Sequence, residues 1–211
     1  MNINYFVLQP DAQERQSAWR SHPGGVQVGF TLDRPAGSGE NMSGAKTMQK
    51  MALVIIDIQN DITKNYKDVI GNINQSIDWA VNKNIHVVYI RHENLSAGTR
   101  TFKPNTHGSE FVSDLKMVTN NVFTKSKGNA LTSEEFADFI SKNEIGDFYI
   151  AGADAVACVK STCYNLRKEN YSVMVLSDCI TSYDKRKIDE MLRYYESKGC
   201  KIICMNDLQS I

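Results

Sequence analysis

Long hydrophobic runs are missing from this sequence. No apolar stretch approaches the roughly 20 residues that a membrane-spanning helix requires. The first ten residues also lack the basic region and the apolar length of a secretion signal. We therefore expect a cytoplasmic protein that does not enter a membrane.

An excess of either charge sign is missing as well. Lys and Arg together number 24, and Asp and Glu together number 24, so the formal net charge is zero. Attraction to nucleic acid or to an anionic membrane through the overall field requires a basic excess. The charge balance argues against such partners and favours a small molecule.

Cysteine is scarce and shows no paired spacing. The five cysteines are an odd number, and none belongs to a Cys-x-x-Cys pair. Four of them lie in apolar or amphipathic contexts and are interpreted as reduced packing residues: Cys163, Cys179, Cys200 and Cys204. Cys158 differs, because it stands between a predicted strand and a predicted helix.

Proline is almost confined to the beginning of the chain. Residues 1–47 hold three of the four prolines and six of the 13 glycines, and the run 34–44 is typical of a flexible linker. Short strands are predicted at 5–8 and 26–32, but nothing nearby completes a core. We interpret residues 1–47 as an appendage, whether a native arm, an expression leader or an over-long start, and residues 48–211 as one domain.

The rest of the chain alternates between strand and helix patterns. Buried strands are predicted at 53–56, 86–90, 122–123, 148–151, 172–176 and 201–204. A first helix is predicted from the apolar face of Val69, Ile73, Ile77 and Ala80, and a second over 133–140 with Thr132 as its N-cap. A third helix is predicted to start at Cys158, and a fourth to cover 185–197 and end at Gly199. Repeated βα units predict an α/β fold with a doubly wound, mostly parallel sheet.

Three residues of suitable chemistry come at strand ends. Asp57 ends the first strand, Lys125 follows the third and Cys158 follows the fourth. Ligands bind at the carboxyl ends of the strands in such a sheet, so we expect the three side chains to meet. A carboxylate can take a thiol proton, an ammonium can hold developing negative charge, and the sulfur can attack. Taken singly, each residue also fits a structural role, as a turn residue, a surface lysine or a packing thiol.

Cys158 is expected at the first turn of a helix. The first N–H groups of a helix have no partner within it, and the helix dipole is positive there. A thiolate in this position is stabilised, so we expect the pKa of Cys158 to lie below the roughly 8.5 of a free thiol. The position therefore predicts a nucleophile.

Three segments carry a family resemblance. They are Ala52-Leu-Val-Ile-Ile-Asp57-Ile-Gln-Asn-Asp61, then Val122-Phe-Thr-Lys125 followed by Asn129-Ala-Leu131, and Gly152-x5-Cys158-Val159-x2-Thr162. In this order and at this spacing they resemble the isochorismatase-like cysteine hydrolases, which include nicotinamidases, N-carbamoylsarcosine amidohydrolase, and ureidoacrylate and maleamate amidohydrolases. The resemblance covers about residues 52–205 and leaves the first ~50 untouched.

The resemblance implies a three-layer α/β/α fold and a homo-oligomer, either a dimer or a tetramer. It implies that Asp57, Lys125 and Cys158 are catalytic. It also implies a cis peptide bond between Ala153 and Asp154, which aims the N–H of Asp154, together with that of Cys158, at an oxyanion.

Some positions depart from the family pattern. Ala155 stands where Thr is frequent, Asn129-Ala130-Leu131 replaces Ser-Ala-Phe, and Thr162-Cys163-Tyr164-Asn165 replaces Thr-Ala-x-Asp. These changes bear on substrate class and helix contacts more than on the chemistry. Asp178 matches a family aspartate after the fifth strand, and we interpret it as a structural strand-end cap.

The implied reaction is hydrolysis of a C–N amide-type bond of a small molecule through a thioester. Attack by Cys158 would release ammonia or an amine, and Asp57 would then act as base for water. One alternative is an isochorismatase proper, which hydrolyses a vinyl ether and can work without the cysteine. Another is a non-catalytic binding protein that keeps the fold. The presence of all three catalytic residues favours the first interpretation.

The long segment between the second strand and Lys125 is expected to contact the substrate. Its candidate residues are Arg91, His92, Arg100, Phe102, Asn105 and His107, although Arg91 and His92 fit a polar strand end equally well. Nicotinamidases hold zinc with one Asp and two His, in an Asp-x-His spacing. None of His86, His92 and His107 stands two residues after an Asp. We therefore expect no metal, no other cofactor and poor activity on nicotinamide.

Overall fold

Six parallel strands pair in the order β3-β2-β1-β4-β5-β6 in the computed structural model, which describes residues 50–208 and 210. The strands are β1 (Lys50–Ile56), β2 (His86–His92), β3 (Val122–Lys125), β4 (Ile145–Gly152), β5 (Ser172–Ile180) and β6 (Lys201–Ile203). The helices are α1 (Ile70–Asn82), α2 (Glu134–Lys142), α3 (Cys158–Lys168), α4 (Ile188–Ser197) and α5 (Met205–Leu208). The predicted doubly wound parallel sheet is confirmed. The predictions for residues 1–47 lie outside the described residues.

The strand order reverses at β1. From β1 the chain steps outward to β2 and β3, then returns to pair β4 with the other edge of β1 and steps outward again to β6. In open α/β sheets, the crevice at such a reversal is where ligands bind. The carboxyl ends of β1 and β4 therefore form the expected location of a site.

Amphipathic helices cover both faces of the sheet. Along β1, Leu53 and Ile55 pack with α1 and α5 on one face, while Val54 and Ile56 pack with α2, α3 and α4 on the other. These four side chains are fully buried. Both faces of the strand are buried because parallel sheets carry a helix layer on each side, which explains the continuous aliphatic run in the sequence.

Gly152 lets β4 approach the end of β1. Its φ is +116°, and a Cβ at this position would lie 2.2 Å from the carbonyl oxygen of Ile56. The next residue, Ala153, donates its N–H to that same oxygen at 2.9 Å. Only glycine combines this backbone conformation with so close an approach, and the contact brings the loops after β1 and β4 together.

Five strands are longer than predicted and β6 is one residue shorter; three of the five gain polar residues at the carboxyl end. β2 continues to His92, β3 to Lys125 and β5 to Ile180, whereas the sequence analysis ended them with the apolar run. Strands pair through backbone groups, so a polar side chain at the carboxyl end does not stop the pairing. As a result Lys125 lies in β3 rather than after it.

Two helix starts were predicted wrongly. α2 begins at Glu134 with Ser133 as N-cap, while Thr132 belongs to the 3₁₀ turn Ala130–Thr132 and donates its hydroxyl to Asn129. α4 begins at Ile188, because Lys185–Lys187 form another 3₁₀ turn. Within the described residues, no helix is both long enough and apolar enough to cross a membrane.

Asp178 lies within β5 and caps the short helix α5, which the sequence analysis missed. Its two carboxylate oxygens accept the N–H of Met205 at 3.1 and 3.2 Å. A carboxylate at a helix N-terminus satisfies a backbone donor that has no partner in the helix. This contact fits the structural role inferred for Asp178, and four residues are too few to give a periodic pattern.

Candidate active site

Four strand ends bring the candidate side chains together. Asp57 follows β1 directly, and its N–H donates to Ile90 of β2 at 3.0 Å. His92 and Lys125 are paired neighbours at the ends of β2 and β3. Cys158 is the first residue of α3, after the loop that follows β4. One atom each of Asp57, His92 and Cys158 lie within 4.8 Å of one another.

Asp57 and Lys125 form a buried ion pair. Lys125 Nζ donates to Asp57 Oδ2 at 2.8 Å, and the two side chains are 2% exposed or less. Burying two charges is unfavourable, and such a pair adds little net stability over an apolar one. Asp57 also adopts a left-handed backbone conformation, with φ of +54°. A strained backbone and a buried charge pair at one position are typical of a functional site.

One oxygen of Asp57 remains available. Oδ1 is buried and makes no hydrogen bond to any group in the described part of the chain. An unpartnered buried carboxylate oxygen is unfavourable, and native structures seldom leave one unless it has a function. Since Oδ2 is engaged with Lys125, Oδ1 is the atom that can take a proton from a neighbouring thiol.

The pKa of Cys158 corrects the sequence prediction. Burial of the thiol raises its pKa to about 12; the negative charge of Asp57 adds to this rise, and Lys125 opposes it. The position at the start of α3 was predicted correctly, but the expected fall in pKa was wrong. Burial and the carboxylate outweigh the helix terminus, so the resting sulfur is a neutral thiol that needs a base.

The loop after β4 presents two free backbone donors. The peptide bond between Ala153 and Asp154 is cis. Among residues 50–208, neither the N–H of Asp154 nor that of Cys158 donates to a protein acceptor. The Asp154 carboxylate holds the loop by accepting the N–H of Val156 at 2.9 Å and that of Tyr183 at 3.2 Å.

Among the predicted substrate-binding residues, His92 lies nearest to Asp57, Lys125 and Cys158. Its Nδ1 lies 3.1 Å from Lys125 Nζ. Phe102 stacks edge-on against its ring, with centroids 5.4 Å apart. Burial lowers the pKa of His92, and Lys125 lowers it further against the opposing effects of Asp57 and the Lys127 carbonyl.

The other predicted substrate contacts lie farther from the cluster. Arg91 sits with its guanidinium 5.2 Å from the centre of the Phe111 ring, on the opposite face of β2 from His92. Arg100 and Asn105 are exposed loop residues. His107 is exposed and pairs with Glu110 at 3.2 Å. Of the six candidates, the structure brings only His92 and Phe102 to the cluster.

Gln59 is a site residue that the sequence analysis did not assign. Its side chain is fully buried and binds both backbone groups of His92, accepting from N–H at 2.8 Å and donating to C=O at 2.9 Å. It also donates to Ser109 at 2.8 Å. A polar residue inside the buried run after Asp57 was the available signal, because a buried amide must find partners.

Three side chains of the cluster offer atoms of the kind that ligate a metal, but the ammonium of Lys125 already lies beside two of them. Asp57, His92 and Cys158 offer an oxygen, a nitrogen and a sulfur, a combination that zinc accepts. Lys125 Nζ, however, lies 2.8 Å from Oδ2 of Asp57 and 3.1 Å from Nδ1 of His92. A divalent ion between the same atoms would meet the buried ammonium and be repelled by it. The arrangement fits an internal cation better than a bound metal.

The sequence model of the Isochorismatase domain family matches residues 51–207. The chain belongs to the isochorismatase family. The matched range contains all the residues of the cluster and all six strands except the first residue of β1. No curated protein sequence matches this isochorismatase-family chain significantly.

Solved structures share the fold of this isochorismatase-family protein at low sequence identity. An isochorismatase-like hydrolase from Alkaliphilus metalliredigens is 18% identical, with a TM-score of 0.70, over 76% of this chain and 98% of the other. N-carbamoylsarcosine amidase from Thermoplasma acidophilum is 18% identical, with 0.67 over 74% and 96%. Pyrazinamidase of Pyrococcus horikoshii, solved in complex with zinc, is 22% identical, with 0.66 over 74% and 99%.

Proposed function

We propose that this isochorismatase-family hydrolase cleaves a C–N amide-type bond of a small molecule through a thioester on Cys158. The observation that carries the proposal is the free Asp57 Oδ1 in the same cluster as a thiol whose pKa is about 12. Such a thiol is inert at neutral pH unless a base removes its proton as it attacks. The buried carboxylate supplies that base.

Acylation follows from the positions of these groups. Cys158 Sγ bonds to the carbonyl carbon while its proton passes to Asp57, and the carbonyl electron pair moves onto oxygen. The free N–H groups of Asp154 and Cys158 stabilise this oxyanion. When the oxyanion collapses, the C–N bond breaks, and the nitrogen takes the proton from Asp57 and leaves as ammonia or an amine. Lys125 stabilises the carboxylate whenever it is ionised.

Deacylation reverses the roles. A water molecule attacks the thioester carbon and gives its proton to Asp57, and the same backbone donors hold the second oxyanion. Collapse breaks the C–S bond, the sulfur regains a proton from Asp57, and a carboxylic acid leaves. Two of the proteins of similar fold, N-carbamoylsarcosine amidase and pyrazinamidase, are amidases by name, which supports an amide-type substrate.

A panel of small amides, with ammonia release as the readout, tests the proposal. Cys158→Ala should abolish turnover without unfolding the protein. Cys163→Ala is the matched control, because Cys163 lies on the same helix but is buried in the core. We expect the control to retain activity and mass spectrometry to find the acyl group on Cys158. Loss of activity in the Cys163 variant alone would mean that the motif register is wrong.

The same variants separate the two alternatives. Vinyl ether hydrolysis can proceed without the cysteine, so a Cys158→Ala protein that still turns over such a substrate would favour isochorismatase activity proper. A protein that binds an amide but releases neither ammonia nor an amine under any condition would favour a binding role. The buried ion pair with a free carboxylate oxygen argues against that role, since a binding protein has no use for its unfavourable desolvation.

A further inference from the structure

Resting on the proposed function, and deepening it, a role for His92 follows from its contacts. We propose that His92 is a positioning residue: its neutral imidazole accepts one N–H of Lys125 and so directs the ammonium toward the reacting atoms. His92 then acts on the reaction through Lys125 and need not touch the substrate.

The hydrogen-bonding capacity of Lys125 limits the arrangement. An ammonium has three N–H donors and no acceptor. One donor goes to Asp57 Oδ2 at 2.8 Å and another to His92 Nδ1 at 3.1 Å. With two donors fixed by these partners, the direction of the third is fixed as well. This third N–H is left to donate to the sulfur of Cys158 or to an oxygen that gains negative charge.

The ring of His92 is held from several sides. Gln59 binds the N–H and the C=O of residue 92, which fixes the backbone at the end of β2. Phe102 packs edge-on against the ring at an interplanar angle of 89°. The pairing of β2 with β3 places Lys125 directly beside His92. An imidazole held by three separate segments is suited to orienting another group.

Burial, and after it the ammonium of Lys125, keep His92 neutral by lowering its pKa. Lys125 contacts it, Asp57 and Cys158 lie in the same cluster, and the opposing effects of Asp57 and the Lys127 carbonyl on its pKa are the smaller ones. A second positive charge beside the ammonium would be repelled, and a protonated Nδ1 could not accept a hydrogen bond. Nδ1 therefore acts as an acceptor at neutral pH.

Two substitutions separate positioning from other roles. His92→Phe keeps a ring against Phe102 but offers no acceptor, so Lys125 loses one of its two fixed partners. His92→Asn places an amide oxygen close to the position of Nδ1 and restores the acceptor. His86→Phe is the matched control, because His86 lies at the other end of β2, where it stacks on Phe139 at 5.6 Å.

Kinetics on an amide found by the panel give the first readout. We expect His92→Phe to lower kcat about 10- to 100-fold, as for the loss of a hydrogen bond to a charged group, with KM changed less than about threefold. His92→Asn should recover most of kcat, and His86→Phe should match the unmodified protein. A KM that rises while kcat holds would instead make His92 a substrate contact, and an Asn variant as impaired as the Phe variant would also overturn the proposal.

Alkylation of Cys158 gives a second readout that needs no substrate. Iodoacetamide labelling at pH 8, followed at the Cys158 peptide by mass spectrometry, reports how well Lys125 stabilises the thiolate. We expect labelling to slow about tenfold in His92→Phe and to be nearly unchanged in His92→Asn. Equal rates in the Phe variant and the unmodified protein would overturn the proposal. Because this result is independent of amide cleavage, it separates an error about His92 from an error about the reaction. Thermal unfolding of each variant confirms that it is folded.

Discussion

At the scale of single residues, Asp57 has two opposite effects on Cys158. Its charge raises the pKa of the thiol, which makes a free thiolate rarer, yet its unpartnered Oδ1 is the base that we propose for the attack by the same thiol. The sequence around Cys158 alone could not predict these two effects. The start of α3 is visible in the spacing of apolar residues, but the depth of burial of Cys158 arises from tertiary packing.

Asp57→Asn separates the two effects. Removing the negative charge lowers the pKa of Cys158, so labelling by iodoacetamide at pH 8 should become faster. Amide hydrolysis should fall by about 10² to 10⁴, because the base is gone. In the unmodified protein, with a pKa of about 12, labelling should keep rising through pH 10 without a plateau. A variant that loses both activities in parallel would contradict the assignment of Asp57 as the base.

His92 makes the free energy of unfolding depend on pH in the acidic range. Its pKa in the folded protein is lowered from the ordinary 6.5, so the unfolded chain takes up a proton more readily. The contribution of His92 to the free energy of unfolding should therefore be complete above pH 6.5 and should fall as the pH drops toward the lowered pKa of the folded protein. Urea unfolding at pH 5, 6 and 7 measures this, and His92→Asn should flatten the dependence. His86, whose pKa is lowered as well, accounts for a remaining slope.

At the scale of elements, α3 and the segment after β3 depend on each other. Thr162 is fully buried on α3 and accepts the N–H of Ala130 at 3.0 Å. This contact ties the helix that carries Cys158 to the segment that follows Lys125. The family signature contains Thr162, and its role here is to join the two halves of the site.

Thr162→Val should destabilise the protein. The replacement has nearly the same shape but leaves the buried N–H of Ala130 without an acceptor, which costs about 1–3 kcal/mol. Thr132→Val is the matched control, because the exposed Thr132 hydroxyl donates to Asn129 in the same turn and its loss should change the free energy of unfolding by about 0.5 kcal/mol or less. Urea unfolding compares them. Equal losses would mean that the contact to α3 contributes nothing specific.

The sequence predicted the existence of these elements better than their ends. Apolar periodicity showed all six strands and four of the five helices, since burial imposes the period. It placed the ends of β2, β3 and β5 too early, where the apolar runs give way to His92, Lys125 and Asp178. The register that sets His92 beside Lys125 is a pairing between distant segments, so no local pattern contains it. Site residues at strand ends are therefore the hardest to place.

At the scale of the whole molecule, everything assigned to the site lies between Asp57 and Cys158, and the family match begins at residue 51. We predict that deletion of residues 1–47 leaves a folded and active protein. Circular dichroism and the amide assay test this, with size-exclusion chromatography to compare oligomeric states. An insoluble product, or one with a different oligomeric state, would show that residues 1–47 contribute to the fold or to assembly.

The whole site also predicts independence from metal. Lys125 takes the position of a cation among the ligating atoms of Asp57, His92 and Cys158. We therefore expect activity on the amide found by the panel to survive treatment with a strong chelator, and nicotinamide to be a poor substrate. Metal analysis of the purified protein accompanies the assay. Stoichiometric zinc whose removal stops turnover would contradict the prediction.

Because the strand order reverses at β1, the candidate site residues come from two consecutive lengths of chain. The first length, through α2, carries Asp57, His92 and Lys125, and the second carries Asp154 and Cys158. The exposed Glu144 lies between them, just before β4. If the protein is expressed as two pieces divided there, neither piece holds both the proposed nucleophile and its proposed base. Ammonia would be released only where the pieces meet, so the divided enzyme would report the association of any two proteins fused to it.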